Sequence, residues 1–270
     1  MNAKLPQNTS AAEAQPQAVA LFVSDVHLHD SLPLTTAAFL QFLSTHAKRA
    51  DQLYLLGDLF EYWPGDDDID TPYHRHIVDA IREVSDAGVT VFWIAGNRDF
   101  LVDSTFAEAT GATLLQDPAT ATVAGQTIAL SHGDALCTDD TEYMAFRAMV
   151  RQGAWQKGFL AKPLAERKAI IEGMRGQSEA GKKNKSAEIM DVNPDAVARL
   201  FKNTGASMLI HGHTHRPASH ICQTPDGEAV RHVLPDWDMD HGPEAQRGGW
   251  LAIDALGMVR RFQALSGKCG

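Results

Sequence analysis

The sequence predicts an α/β layered fold, and three features carry that prediction. From residue 18 onward, short apolar runs alternate with stretches whose apolar residues recur at i, i+3, i+4 and i+7, as strands separated by amphipathic helices do. After Thr110-Gly111 the period shortens to closely spaced strand candidates broken by turn-forming pairs, which marks the start of a second sheet layer. The residues that leave each apolar run are Asp, Asn, His and Gly, the composition of a ligand crevice outside the carboxyl ends of strands.

Residues 1–17, rich in Ala, Gln, Asn and Pro and without apolar periodicity, read as a disordered tail. Residues 20–23 form the first strand, and Phe39, Phe42, Leu43 and His46 then share one helix face. Residues 53–56 make a second strand, followed by a helix with Ile77, Ala80, Ile81 and Val84 on one side, and residues 89–95 make a third. Residues 112–115, 120–123 and 127–130 are strands of the second layer, separated by Asp117-Pro118 and Ala124-Gly125. Residues 139–190 contain no strand candidate and read as a helical insertion, a lid, which leaves 18–138 and 191–264 as the core and 265–270 as a tail. Asn193-Pro194 supplies an N-cap and a first-turn proline, Val197, Leu200 and Phe201 face inward, and Gly205 stops the helix. Residues 207–210, 230–234, 250–253 and 258–264 complete the strands, with Ala255-Leu256-Gly257 as a turn between the last two.

Composition narrows the function. A 270-residue chain with 44% hydrophobic residues buries a substantial core. No run reaches the ~18–20 apolar residues of a membrane span, and the amino-terminus lacks the basic-then-apolar order of a signal peptide, so a cytosolic location is expected. Cys137, Cys222 and Cys269 stand far apart, which offers neither a disulfide framework nor a cysteine zinc site. A net charge of −10 argues against nucleic acid as a partner, because phosphate backbones are held by Lys and Arg. Between Arg147 and Lys185, however, ten basic residues face three acidic ones, so that segment is +7 and the rest of the chain −17. A basic stretch on an acidic protein points to an anionic ligand or surface reached by that stretch.

Five strand exits carry donor atoms: Ser24-Asp25-Val26-His27, Gly57-Asp58, Gly96-Asn97, Ser131-His132-Gly133 and His211-Gly212-His213-Thr214-His215. On an extended chain Asp25 and His27, two apart, project to one side, as do His213 and His215. A single D-x-H or Gly-Asp is commonly turn chemistry, whereas three histidines within five residues after an apolar strand have few structural uses. Two aspartates, one asparagine and four histidines form a mixed oxygen and nitrogen set suited to two divalent metals such as Mn²⁺, Fe²⁺, Co²⁺ or Zn²⁺. Asp25 and Asp58 alone do not neutralise two such ions, and an anionic substrate would complete the balance.

The order D-x-H, G-D, G-N, H-G, G-H-x-H resembles the calcineurin-like metallophosphoesterases, which implies a four-layer αββα sandwich with a dinuclear metal site at its edge. The resemblance gives Asp25, His27 and His215 to one metal, Asn97, His132 and His213 to the other, and Asp58 as the bridge. It also implies a hydroxide attacking phosphorus in line, with Asp58, Asn97, Arg98 and His132 at the reacting centre. Many relatives read G-N-H-D or G-N-H-E, with the histidine protonating an alkoxide, whereas this chain reads Gly96-Asn97-Arg98-Asp99. A departing phosphate, with a second pKa near 6, needs no such acid. A guanidinium can hold its oxygens as charge grows, which predicts cleavage of a pyrophosphate bond.

Longer phrases are similar to the UDP-2,3-diacylglucosamine diphosphatases of lipid A biosynthesis. They are Ser24-Asp-Val-His-Leu28, Gly57-Asp-Leu-Phe-Glu-Tyr-Trp63 with Gly65-Asp-Asp67, Gly96-Asn-Arg-Asp99, His132-Gly-Asp-Ala-Leu-Cys-Thr-Asp-Asp140, Ile189-Met-Asp-Val-Asn193 and His211-Gly-His-Thr-His-Arg-Pro217. That resemblance implies release of UMP and 2,3-diacylglucosamine 1-phosphate, with Mn²⁺, by a peripheral protein on the cytoplasmic face of the inner membrane. The matching substrate contacts are Asn97, Arg98, Asp140, Ser178, Lys182, Lys185 and His213. Lys182 stands where the family is expected to have asparagine, and Pro235 where it is expected to have glycine. No protein partner is implied. The alternative activity on the same metals is a soluble nucleotide-sugar or dinucleotide pyrophosphatase. The insertion, with Trp155 and Phe159 among its many apolar residues, reads either as a small helical core of its own with a solvated basic face or as a lid that holds acyl chains on one side while its cations, including Lys157, Lys162, Arg167 and Lys168, meet anionic headgroups on the other.

Overall fold

The computed structural model describes residues 18–182, 191–224 and 227–264, with the side chains of residues 175–182 excepted. The chain folds into two packed sheets covered by helices on both outer faces. Strands β1 (Ala18–Val23), β2 (Gln52–Leu55), β3 (Thr90–Ile94) and β4 (Thr113–Leu115) run parallel, and β10 (Gly249–Asp254) and β11 (Val259–Gln263) extend that sheet antiparallel from β1, in the order β11-β10-β1-β2-β3-β4. The second sheet has the order β5-β6-β7-β9-β8, built from β5 (Ala119–Val123), β6 (Gln126–Leu130), β7 (Met208–His211), β8 (Ser219–Thr224) and β9 (Gly227–Val233).

Alternation along each strand generates the layers, because successive side chains point to opposite faces. Ala20 and Phe22 of β1 join Tyr54, Ile94, Ile128, Leu130, Ile210 and Ile253 in the core between the sheets. Leu21 and Val23 point the other way, into a core shared with Phe39, Phe42 and Leu43 of α1 (Pro33–Thr45) and with Ile77, Ile81 and Val84 of α2 (Pro72–Asp86). Across the molecule, Ala129 and Leu209 meet Val197, Leu200 and Phe201 of α7 (Pro194–Thr204). That helix begins where the sequence predicts: Asn193 accepts from Ala196 N at 3.1 Å, and Gly205 ends it at φ 63°.

Three elements depart from the sequence reading. Residues 113–115 pair with β3 and belong to the first sheet, so the second layer starts one strand later than expected, at β5. Helix α3 (Ser104–Thr110) was not expected; Asp103 caps it and Gly111 closes it in the left-handed region. Strand β8 is an edge strand largely in water, so it carries none of the apolar alternation by which strands are recognised. His46, expected to face inward, lies just past α1 and is exposed, with its ring 4.6 Å from that of Trp250.

Between β6 and α7 the chain forms α4 (Thr141–Val150), α5 (Gly153–Leu160) and α6 (Leu164–Lys182). Its aromatic residues dock on the core. Phe159 is buried and stacks on Trp155 with ring centroids 5.0 Å apart, and Trp155 lies 6.2 Å from Phe100. Removing such a buried ring costs about 3–5 kcal/mol in general. Trp155 and Phe159 therefore anchor the insertion, and Phe146, Met149 and Leu160 are its exposed large apolar side chains among the described residues.

The cations behave likewise. Arg167 is only 2% exposed; it donates to Lys162 O at 3.0 Å and Pro64 O at 2.5 Å and pairs with Asp67. Lys168 reaches the fully buried carboxylate of Asp68 at 2.7 Å. Arg147 donates to Asp134 at 2.8 Å, Arg151 to Gly96 O at 2.8 Å, and Lys162 to Glu166 at 2.5 Å. Much of the positive charge counted in the sequence is thus paired with groups of the protein itself, Lys162 in an exposed pair and Arg167 in a buried one. Among the described insertion cations named above, Lys157 is the one with no such pairing.

Candidate metal centre

The five predicted exits converge at one edge of the sandwich. Two groups form there: Asp25, His27 and His215, and Asp58, His132 and His213, each with donor atoms lying within 4.8 Å of one another. Asn97 completes the second group, its Oδ1 3.0 Å from His132 Nε2 and 2.8 Å from His213 Nδ1.

The backbone reaches this arrangement in a way periodicity does not reveal. Asp25, His27, Asp58, His213 and His215 all adopt positive φ, between 51° and 67°. The expected extended chain through D-x-H and H-x-H is therefore absent, and alternating left-handed residues turn the donors inward. For a residue with a Cβ that conformation costs roughly 1–2 kcal/mol, and it persists because neighbours hold it. Asp25 N and His27 N donate to Gly57 O and Asp58 O, each at 3.0 Å, and Gly212 N donates to His132 O at 2.9 Å. Glycine is required where the loops touch: a Cβ on Gly96 would sit 2.2 Å from Asp58 N, and one on Gly212 2.1 Å from Asp25 Oδ2.

Asp99 ties these loops together. Its carboxylate is fully buried and accepts from Gly96 N at 2.8 Å, Leu59 N at 2.8 Å, Asp58 N at 3.2 Å and Phe60 N at 3.4 Å. Burial, reinforced by the Asp58 charge, pushes its pKa up to about 6. Arg98 does not pair with it. The guanidinium instead meets Glu61 Oε1 at 2.7 Å, and Arg98 N donates to Asp58 Oδ1 at 2.8 Å.

The donor set fits divalent cations. His132 Nδ1 lies 2.9 Å from Leu56 O, so with the proton on that nitrogen Nε2 presents a lone pair to the group containing Asn97 Oδ1 and His213 Nδ1. Converging lone pairs repel unless a cation or proton lies among them. In the other group His27 Nε2 and His215 Nε2 face each other at 3.3 Å, and buried Asp25 Oδ1 lacks a hydrogen-bond donor. Both rings are braced from behind by carboxylates, His27 Nδ1 by Glu61 Oε2 at 3.0 Å and His215 Nδ1 by Asp236 Oδ2 at 3.4 Å. Such a second carboxylate orients an imidazole ligand and raises its basicity.

The field is strongly polarised. Burial opposes ionisation of Asp25, but the close approach of His215 Nε2, 3.4 Å from its Oδ1, and the charges of His132, His215 and His27 outweigh burial and hold it below the ordinary carboxylate range. Burial also disfavours a charged His132, yet Asp58, Asp25 and Asp134 push its pKa up to about 9. Burial and the His132 charge bring His213 down to about 4. One centre thus draws positive charge toward Asp25 and Asp58. His211, the remaining histidine of that run, is structural: it is buried at the end of β7, its Nε2 is 3.1 Å from Arg231 Nη1, and its pKa falls to about 3 through burial and the Arg231 charge.

Three residues the sequence reading passed over also act here: Glu61, Asp236 and Tyr143. Tyr143 of α4 donates to Asp134 at 2.6 Å, and its ring stacks on His213 with centroids 6.0 Å apart, which latches the insertion to the centre. Glu61 had a sequence signal, a carboxylate three residues after Asp58. Asp236 had only its place two residues past a predicted strand. Of the expected substrate contacts, Asn97, Arg98 and His213 lie at this edge, and Asp140 caps α4 by accepting from Tyr143 N at 3.1 Å. The side chains of Ser178 and Lys182 and all of Lys185 lie outside the described residues.

Residues 19–217 match the family model for calcineurin-like phosphoesterases, and the chain belongs to that family. Its curated relatives are more specific. It is 48% identical over 221 residues to the UDP-2,3-diacylglucosamine hydrolase of Aromatoleum aromaticum, covering 82% of this chain and 90% of that one. With the enzyme of the same name from Chromohalobacter salexigens the identity is 47% over 242 residues, covering 90% and 96%. With that from Klebsiella pneumoniae it is 49% over 217 residues, covering 80% and 90%.

Proposed function

We propose that this protein is a metal-dependent hydrolase that cleaves the pyrophosphate bond of UDP-2,3-diacylglucosamine, giving UMP and 2,3-diacylglucosamine 1-phosphate for lipid A biosynthesis. The observation that carries the reading is near-full-length identity of 47–48% to hydrolases named for that substrate, joined to a complete seven-donor edge. Asp25, His27 and His215 would hold one divalent ion, Asn97, His132 and His213 the other, with Asp58 between them; Mn²⁺ suits this oxygen and nitrogen set. Such ions supply Lewis acidity at phosphoryl oxygens and a water acidic enough to attack near neutral pH.

The chain's own residues do the rest. Asp99 fixes the amides of the Asp58 and Gly96 loops before substrate arrives, so little reorganisation is needed during reaction. Arg98 offers the guanidinium edge not engaged by Glu61 to the departing phosphate. Tyr143 keeps α4 beside His213, and exposed Phe146 and Met149, three apart on that helix, give acyl chains an apolar surface near the reacting phosphate. Asp140, Ser178, Lys182 and Lys185 are proposed as further substrate contacts. No described helix is long and apolar enough to cross a membrane; peripheral attachment to the cytoplasmic face of the inner membrane, through the insertion and an anionic lipid surface, is the arrangement that brings the enzyme to a lipid substrate.

The deciding experiment incubates the protein and Mn²⁺ with UDP-2,3-diacylglucosamine in ¹⁸O-water. Release of UMP and the acylated sugar phosphate, with far slower turnover of the deacylated analogue, is the expected result. Equal turnover of UDP-sugars without acyl chains would favour a soluble nucleotide-sugar pyrophosphatase. Arg98→Ala is expected to lower pyrophosphate turnover by roughly 10²–10³, the usual cost of one transition-state donor. An activated aryl phosphodiester, whose leaving group needs less help, should lose under tenfold. Equal losses on both substrates would assign Arg98 a structural role.

A further inference from the structure

We infer that Glu61 is a positioning residue that joins the metal centre to the leaving-group arginine, holding His27 with one carboxylate oxygen and Arg98 with the other. The inference rests on the metal and Arg98 roles proposed above. Its geometry is specific: Glu61 Oε2 is 3.0 Å from His27 Nδ1, Oε1 is 2.7 Å from Arg98 Nη1, and the side chain is 13% exposed. The backbone is registered to both loops as well. Glu61 N donates to Leu28 O at 3.0 Å, beside His27, and Trp63 N donates to Arg98 O at 3.2 Å. The carboxylate is thus placed by main-chain bonds before either side chain engages it.

Each contact has a chemical consequence. A carboxylate 3.0 Å from Nδ1, in ion-pair contact though outside hydrogen-bond alignment, favours the proton on that nitrogen and leaves the Nε2 lone pair for the group with Asp25 and His215. The same anion takes one terminal nitrogen of Arg98, fixing the plane of the guanidinium so that its remaining N–H edge keeps one direction. A phosphate approaching that edge meets two parallel donors with little rotamer freedom left to lose. Because both contacts share one anionic group, displacing it disturbs metal retention and leaving-group stabilisation together. Glutamine cannot replace it. Its single carbonyl can serve one donor, and its amide N–H groups would face the other.

The test compares Glu61→Ala and Glu61→Gln with the parent by calorimetric titration of the metal-stripped protein with Mn²⁺, by the ratio of pyrophosphate to aryl phosphodiester turnover, and by a double-mutant cycle with Arg98→Ala. Binding of two Mn²⁺ equivalents by the parent checks the metal assignment itself, and a parent binding fewer fails that assignment without bearing on Glu61. Glu61→Ala is expected to weaken one equivalent by roughly 10–100-fold, as loss of an outer carboxylate does elsewhere, while leaving the other within about threefold. Both variants should lower the substrate ratio toward that of Arg98→Ala, and the doubly substituted protein should show little further fall. Two Mn²⁺ equivalents at parental affinity with an unchanged substrate ratio, in folded Glu61→Ala protein, would overturn the inference. So would equal weakening of both equivalents with a lowered melting temperature of the metal-stripped protein, which is the behaviour of a purely structural residue.

Discussion

Replacing Asp58 by alanine is expected to reduce turnover by at least three orders of magnitude while leaving a folded protein. Asp58 belongs to the donor group with His132 and His213, with His132 Nε2 3.7 Å from its Oδ1 and Arg98 N at 2.8 Å. Removing it subtracts the carboxylate proposed to serve both ions, so water activation and charge stabilisation are lost together. Each factor of ten corresponds to about 1.4 kcal/mol of barrier, and a metal's transition-state contribution is several kcal/mol. The measurement is steady-state turnover at saturating Mn²⁺, with circular dichroism as the control for folding. Near-parental activity in a folded variant would remove Asp58 from the reacting centre.

The second large effect concerns stability. Lys168→Met leaves the fully buried carboxylate of Asp68 without its ammonium partner, with His74 Nδ1 at 3.2 Å as the remaining ion-pair contact among the described residues. Breaking a buried pair in this way costs about 3–5 kcal/mol. At roughly 2–4 °C per kcal/mol for a chain of this size, the melting temperature should fall by about 6–20 °C. Hydrogen exchange should increase first along α6. Vesicle binding should change little, because this cation faces the protein. A melting temperature within 2 °C of the parent, about 0.5–1 kcal/mol by the same scale, would show that the Lys168–Asp68 pair contributes little to stability.

That prediction marks where sequence reading fell short. Lys168 and Arg167 were counted toward a cationic surface because their partners, Asp68 and Asp67, lie about a hundred residues away. Charge counted along a segment cannot see such pairing. The strand exits were legible for the opposite reason: the chemistry is local to each motif, and the parallel sheet gathers the motifs at one edge. The left-handed conformations of Asp25, His27, Asp58, His213 and His215 were not legible, since they are imposed by hydrogen bonds between loops and no intrinsic preference favours them strongly. The role of Asp236, though it stands two residues past a predicted strand, was not legible for a related cause. This residue acts through His215, and only the tertiary fold brings the two within 3.4 Å. Strand β8 escaped because water covers much of it.

The origin of the donors gives the sandwich a mechanical property. Asp25, His27, Asp58 and Asn97 follow strands of the first sheet, whereas His132, His213 and His215 follow strands of the second. Each proposed ion therefore draws ligands from both sheets and works as a rivet through their shared rim. The affinity for metal becomes cohesion between the layers, about 4 kcal/mol when free metal is a thousandfold above its dissociation constant. Chelation should loosen the fold from that rim, with faster amide exchange at the carboxyl ends of β1, β2, β6 and β7, while the opposite ends of the same strands stay protected by the apolar core between the sheets.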